Sequence, residues 1–327
     1  MIRMGRYTRS SVFLPQDQRE MTCTRIGLAL GSGSARGWSH IGVIDALADA
    51  GIEPDIVSGT SIGSMIGAAY VAGQLPALRQ WALAATWREI VGLMDVRLSS
   101  GGLIEGKQIV AFLQALGISG PIEGYAKKFA AVATDLVTGR EIWLQSGPIH
   151  EVVRASIALP GIISPARIGD QWLVDGGLSN PVPVSVCRAL GADVIIAVNL
   201  NGDLVGRRFA SEPEPSAVGV PAPVASDSLD RMLQHLPEPL REQAMQMIPR
   251  LLGRGSATPG YFDVIANSIN IMQDQITRTR LAGEPPHVML VPRLRDIGLL
   301  DFNRASEAIA EGRASVEQAL PSLRRYL

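Results

Sequence analysis

The chain holds 327 residues, 46% of them hydrophobic and 19% charged, with a formal net charge of −1. That balance excludes a global field that would gather nucleic acid, and no nucleic-acid partner is expected. Mean hydropathy is +0.18, which is oily, yet no uninterrupted apolar run nears the roughly 18 residues of a membrane span.

Residues 1–24 are polar and aperiodic, and a frayed tail is expected there. Arg3, Arg6 and Arg9 are not followed by an apolar stretch before Cys23, so no secretory signal is read and the expected location is cytoplasmic. Cys23 and Cys187 form neither a disulfide framework nor a zinc-ligand spacing, which fits a reducing compartment. The first predicted strand is Ile26-Gly27-Leu28-Ala29-Leu30, entering the glycine-rich loop Gly31 to Gly37. Ile41, Ile44, Leu47 and Ala48 then follow helical spacing, and Gly51 ends that helix as a C′ glycine. Pro54 to Ser58 predicts a second strand, which meets Gly59-Thr60-Ser61-Ile62-Gly63 and a helix of small residues to about Ala72. This repeated strand–turn–helix order predicts a parallel sheet with right-handed crossovers.

Phe129 to Asp135 predicts a third strand, with Thr138-Gly139 turning into a hairpin partner at Glu141 to Leu144. Gln171 to Val174 leads into Asp175-Gly176-Gly177, and Asp193 to Asn199 is a buried strand. Pro213, Pro215, Pro221 and Pro223 mark a linker, the start of an inserted segment at 203–260. Within it, 227–253 is amphipathic, broken at Pro237-Glu238-Pro239. Tyr261 to Leu281 predicts a helix, His287 to Val291 a late strand and 301–320 a closing helix, with a short tail at 321–327. The fold class is therefore α/β, a mixed and mainly parallel sheet flanked by helices.

Three segments carry chemistry. In Gly59-x-Ser61-x-Gly63, a serine between strand and helix is exposed by a tight turn, where a nearby base can activate it. The loop at 31–37 offers backbone N–H groups at a helix start, suited to an anion. Dinucleotide binding is the competing reading of that loop. Its spacing is Gly-x-Gly-x-x-x-Gly, and the next strand ends in a serine turn, not in a ribose-binding acid. Asp175-Gly176-Gly177 is an ordinary turn by composition, but it stands at a strand end, where α/β sheets place ligand-binding groups.

A glycine-rich loop ending in Arg36-Gly37, then G-x-S-x-G, then D-G-G, in that order, resembles the patatin-like phospholipases, and among them the bacterial branch related to neuropathy target esterase. Ala155 to Gly161 and Asn180-Pro181-Val182-Pro183 resemble that family's flanks of the aspartate strand. The resemblance covers 25–200 well and 261–320 loosely. It implies a three-layer patatin-like domain over 25–320 and a Ser–Asp dyad with Ser61 as nucleophile and Asp175 as base. It further implies an oxyanion hole from Gly33, Ser34, Arg36 and Gly37, with Gly31, Gly59, Gly63, Gly176 and Gly177 supporting the motifs. Ser32 and Ser34 depart from the unbroken glycine run of many relatives.

The expected activity is hydrolysis of fatty acyl esters of phospholipids or lysophospholipids through an acyl-enzyme, without metal or cofactor. The alternatives are a regulatory protein with a vestigial site, or an acyltransferase. A Ser–Asp–His triad is the competing mechanism. His287 follows Asp175 in order but begins a strand, His40 reads as a packing residue of its helix, and His150 and His235 lack context. Asp45, Asp49 and Asp55 read as solvated faces, not as metal ligands. In 227–253, Leu240, Ala244, Met247, Ile248 and Leu251 with Arg241 and Arg250 read as a helix covering the core. The competing reading is a lid or a peripheral contact with the inner face of the membrane.

Overall fold

The computed structural model describes residues 24–93, 105–203 and 261–327. Residues 1–23 of the expected 1–24 tail, and 204–260 of the expected 203–260 insertion with its helix at 227–253, lie outside the described residues. The described residues form eight strands: β1 (Ile26–Leu30), β2 (Ile56–Thr60), β3 (Lys128–Asp135), β4 (Glu141–Leu144), β5 (Ala166–Ile168), β6 (Gln171–Asp175), β7 (Val194–Val198) and β8 (Val288–Leu290). Their helices are α1 (Ser39–Asp49), α2 (Ile62–Val71), α3 (Leu75–Ala84), α4 (Trp87–Gly92), α5 (Lys107–Ala115), α6 (Ile149–Ser156), α7 (Val184–Ala189), α8 (Tyr261–Gly283) and α9 (Ala305–Leu323).

One sheet runs in the order β5-β6-β3-β2-β1-β7-β8, with β4 also paired to β3. From β3 to β8 the neighbours are parallel, while β3–β4, β3–β6 and β5–β6 are antiparallel. This is the mainly parallel α/β architecture expected. The sheet is covered on both faces, and the alternation of side chains along β1 separates them. Leu28 and Leu30 pack with Ile41 and Leu47 of α1 and Ile66 of α2. Ala29, one residue out of phase, joins Ile195 and Ala197 against Val184 and Cys187 of α7. Three layers result.

The periodicity predicts none of α3 to α7. These helices are six to ten residues long, too short for a repeating stripe to stand out. The closing helix also runs further than expected, through Pro321 to Leu323, whose side chain is buried.

Helix α9 crosses α1 backbone to backbone. A Cβ at Gly42 would overlap the carbonyl of Ile309, and a Cβ at Gly312 would overlap that of Ser39. Because α1 continues directly from the 31–37 loop, this crossing fixes the far side of that loop. Gly312→Val is therefore expected to lower unfolding stability by about 3 kcal/mol, since rigid backbone cannot make room. Urea unfolding checks it, and a midpoint close to that of the unsubstituted protein would show that the helices can separate.

Candidate active site

Strand β3 sets the geometry. Thr60, the last residue of β2, pairs with Val132, and Asp175, the last residue of β6, pairs with Ala133. Two strands arriving from opposite ends thus meet on consecutive rungs of β3, which places Ser61 beside Asp175. Ser61 Oγ donates to Asp175 Oδ2 at 2.5 Å. The carboxylate is held from its other oxygen, where Gly177 N–H donates to Oδ1 at 2.7 Å. Asp175 is fully buried, and burial pushes its pKa up to about 6 against the opposing pull of the Ser61 and Gly177 hydrogen bonds.

Ser61 has φ 57° and ψ −126°. A non-glycine residue held there costs on the order of 1–3 kcal/mol, so the surroundings must impose it. Gly63 allows the tight turn, since a Cβ there would overlap the carbonyl of Leu30, and one at Gly59 would touch the Gly63 carbonyl at 2.5 Å. Ser156, at the end of α6, supplies a brace. Its Oγ accepts the Ser61 N–H at 3.0 Å and donates to the Val132 carbonyl at 2.6 Å. The same segment accepts the Asp175 N–H on the carbonyl of Ala158.

Among the described residues, Ser34 is the only other non-glycine with positive φ, at 52°. It belongs to the same site. Gly31 N–H donates to Val198 O, Ser32 N–H to Pro181 O and Ala35 N–H to Leu299 O. The N–H groups of Gly33 and Ser34 meet no acceptor among the described residues, and both residues line the cavity that holds Ser61. Two donors beside a serine hydroxyl are suited to a developing oxyanion. Arg36 and Gly37 do not line that cavity. The Arg36 side chain is buried and reaches α8, where Nη2 donates to Asn270 Oδ1 at 2.9 Å. Gly37 lets the loop close on the turn, because a Cβ would overlap Ile62. His40 locks the loop from behind. Burial pushes its pKa down to about 4, leaving a neutral ring whose Nε2 donates to the Gly31 carbonyl at 2.8 Å.

The cavity has a volume of about 150 Å³ and is almost wholly apolar, with Trp81, Phe112, Ile157, Ile163 and Leu300 among its walls. Apart from Ser34 and Ser61, the lining side chains that carry a polar atom are Gln273 of α8 and the indoles of Trp38 and Trp81, and the Trp38 N–H is already taken by the Phe302 carbonyl. None of the described histidines lines it. His287 Nδ1 accepts the Ile195 N–H, and His150 meets Gln114. His235 lies outside the described residues. Asp45 and Asp49 pair with Arg79 and Arg313, and Asp55 accepts the Ile26 N–H. Among the described residues, no group of three or more His, Cys, Asp or Glu could hold a metal ion, and no helix is long and apolar enough to cross a membrane.

The residues that sequence reasoning missed are Ser156 and Gln273. Both act through partners far away in the chain, so no local pattern announces them.

A strained serine between a parallel strand and a helix, with its hydroxyl on a buried acid, is an arrangement suited to nucleophilic attack on an acyl group. The chain belongs to the patatin-like phospholipase family. The family model of that description matches residues 28–188. An uncharacterized NTE family protein of Mycobacterium tuberculosis is 36% identical over 337 aligned residues, covering 92% of this chain and 93% of the relative. Lysophospholipase NTE1 of Coccidioides immitis is 37% identical over 190 residues, which is 56% of this chain and 12% of that protein. Among solved structures, VipD from Legionella pneumophila aligns over 91% of this chain and 67% of its own, with 13% identity and a TM-score of 0.43. Family membership points to lipid ester hydrolysis.

Ser156→Ala removes the brace and leaves the Val132 carbonyl without its hydroxyl partner. The expected result is a loss of about 1–3 kcal/mol in stability and a fall of about tenfold in kcat with little change in KM. Steady-state kinetics with urea unfolding checks this; an unchanged kcat would show that the turn holds its own geometry.

Proposed function

We propose that this protein hydrolyses fatty acyl esters of phospholipids or lysophospholipids through a Ser61–Asp175 dyad. The observation that carries the reading is the 2.5 Å hydrogen bond from a strained serine to a fully buried aspartate. The apolar cavity supports a long acyl chain as the part bound next to the serine. The name of the Coccidioides relative, a lysophospholipase, supports the same substrate class.

Ser61 Oγ attacks the ester carbonyl carbon as its proton passes to Asp175 Oδ2. The carbonyl oxygen, now an anion, receives the N–H groups of Gly33 and Ser34. Collapse of the intermediate breaks the bond to the alcohol oxygen, which takes the proton back from Asp175. An acyl-enzyme and a free alcohol result. Water then attacks the acyl-enzyme, gives its proton to Asp175, and releases the fatty acid as Ser61 recovers its proton. An aspartate with an ordinary pKa is a weak base at neutral pH; one raised to about 6 is better matched to the task. Burial achieves this without a histidine. Peripheral contact with a membrane surface, through which the substrate would enter, belongs to the same proposal.

Two outcomes follow from the raised pKa. The dyad needs Asp175 ionised, so kcat/KM should rise through about pH 6 to a plateau, and Asp175→Asn should abolish turnover at every pH. Measured release of fatty acid from phosphatidylcholine and lysophosphatidylcholine checks both, and undiminished release by Asp175→Asn would refute the dyad. Stability should move oppositely. Between pH 3.8, the ordinary value, and about 6 the folded chain keeps a proton that the unfolded chain has lost, so ionisation weakens the fold as pH rises. Above pH 6 Asp175→Asn, which removes that charge, should therefore be the more stable protein, by on the order of 3 kcal/mol. Unfolding at pH 5 and pH 8 tests the sign, with the smaller gain expected at pH 5.

A further inference from the structure

Helix α8 lies beyond the residues matched by the family model, yet it sends one amide into the catalytic cavity. Gln273 is 5% exposed and lines that cavity. Its Oε1 accepts two hydrogen bonds, from Ser32 Oγ at 2.9 Å and from Asn201 Nδ2 at 3.0 Å. Both acceptor positions are thus filled, and the amide is held in one orientation. Its Nε2 has no partner among the described residues and is not among their fully buried unpaired atoms, which leaves it free to meet a group in the cavity.

The position of that amide is informative. A Cβ on Gly177 would overlap Gln273 Nε2 and lie 3.0 Å from Asp175 Oδ1, the carboxylate oxygen next to the one that Ser61 meets. The amide therefore sits beside the acid and next to Ser32, one residue before the loop whose N–H groups face the carbonyl oxygen. In the dyad mechanism the oxygen that must come close to Asp175 is the leaving alcohol oxygen, because Asp175 is its proton source. The water that attacks the acyl-enzyme must reach the same position.

We propose that Gln273 is a catalytic residue whose Nε2–H donates to the leaving alcohol oxygen of the ester, and to the attacking water in the second half of the reaction. The inference rests on the dyad reading above. No proton leaves the amide. It stabilises negative charge as the carbon–oxygen bond breaks, and Asp175 then supplies the proton. Such a bond matters most when the leaving alcohol is a poor leaving group, as in a glycerol ester, and little when the leaving group is an activated phenol. The residue thus suits the enzyme to the alkyl esters of lipids.

The test is kcat/KM of the full chain on two esters of the same fatty acid, one of glycerol and one of p-nitrophenol. Gln273→Met keeps the length and removes the amide, while Gln273→Glu keeps the acceptor for Ser32 and Asn201, removes the donor and adds a negative charge near Asp175. Both should lose about 30-fold on the glycerol ester, the value of one hydrogen bond to a developing charge, and less than about fivefold on the phenyl ester. The Glu variant is compared on its high-pH plateau. Asn201→Ala, which loosens the anchor but keeps Nε2, should lower both rates by a similar small factor.

Equal losses on the two esters in both Gln273 variants would overturn the proposal and leave Gln273 a structural link between loop and helix. Retention of the glycerol rate by the folded Glu variant would overturn it as well. Ser61→Ala separates this from the underlying mechanism. Hydrolysis that survives that substitution refutes the dyad itself, whereas its loss together with uniform Gln273 effects refutes only the role of the amide.

Discussion

The hydrogen bond between Ser61 and Asp175 is the constraint on which the rest of the site depends. It requires a serine in a backbone conformation that serine disfavours and an aspartate in a place that disfavours its charge. Neither is stable by itself, so each surrounding element is a restraint. Pairing on adjacent rungs of β3 brings the two strand ends together. Ser156 ties the serine turn to β3, Ala158 takes the Asp175 N–H, and Gly177 holds the second carboxylate oxygen. The stability given up here is offset by the covered sheet, whose strands β1, β2 and β7 are buried almost throughout.

The same arrangement divides the cavity by chemistry. Gly33, Ser34, Ser61 and Gln273 supply its polar groups, and the remaining walls are mainly aliphatic and aromatic. A substrate with a long hydrocarbon chain and one reactive ester fits that division, since the chain has nothing to hydrogen-bond and the ester has several donors. The His40–Gly31 bond and the Arg36–Asn270 bond belong to the support of these polar groups, not to the cavity wall. They keep the loop from relaxing, which matters because donors that must move into place stabilise a transition state less well than donors already there.

Much of this was legible in the sequence, for a physical reason. The serine turn, the glycine loop and the D-G-G turn are local, and local backbone demands select particular residues: glycine where a Cβ would collide, serine where a nucleophile stands in a turn. The apolar strands likewise carry their own pattern, and β1, β3, β4, β6 and β7 lie within a residue of their expected bounds. The brace from Ser156 and the amide of Gln273 were not legible. Ser156 meets Ser61 across 95 residues, and Gln273 meets Ser32 across 241, so only the closed fold brings them together. Arg36 was visible as part of a motif, but its direction was not, because burial against Asn270 depends on where α8 packs.

The central claim is that Ser61 is an activated nucleophile and that Asp175 activates it. Labelling by a long-chain fluorophosphonate, followed by mass analysis of the modified peptide over a range of pH, tests this most directly. The account predicts a single adduct on Ser61, forming at a rate that rises through about pH 6 and falls at least a hundredfold in Asp175→Asn. An adduct on another residue, or labelling of Ser61 that is equally fast without the aspartate, would contradict it.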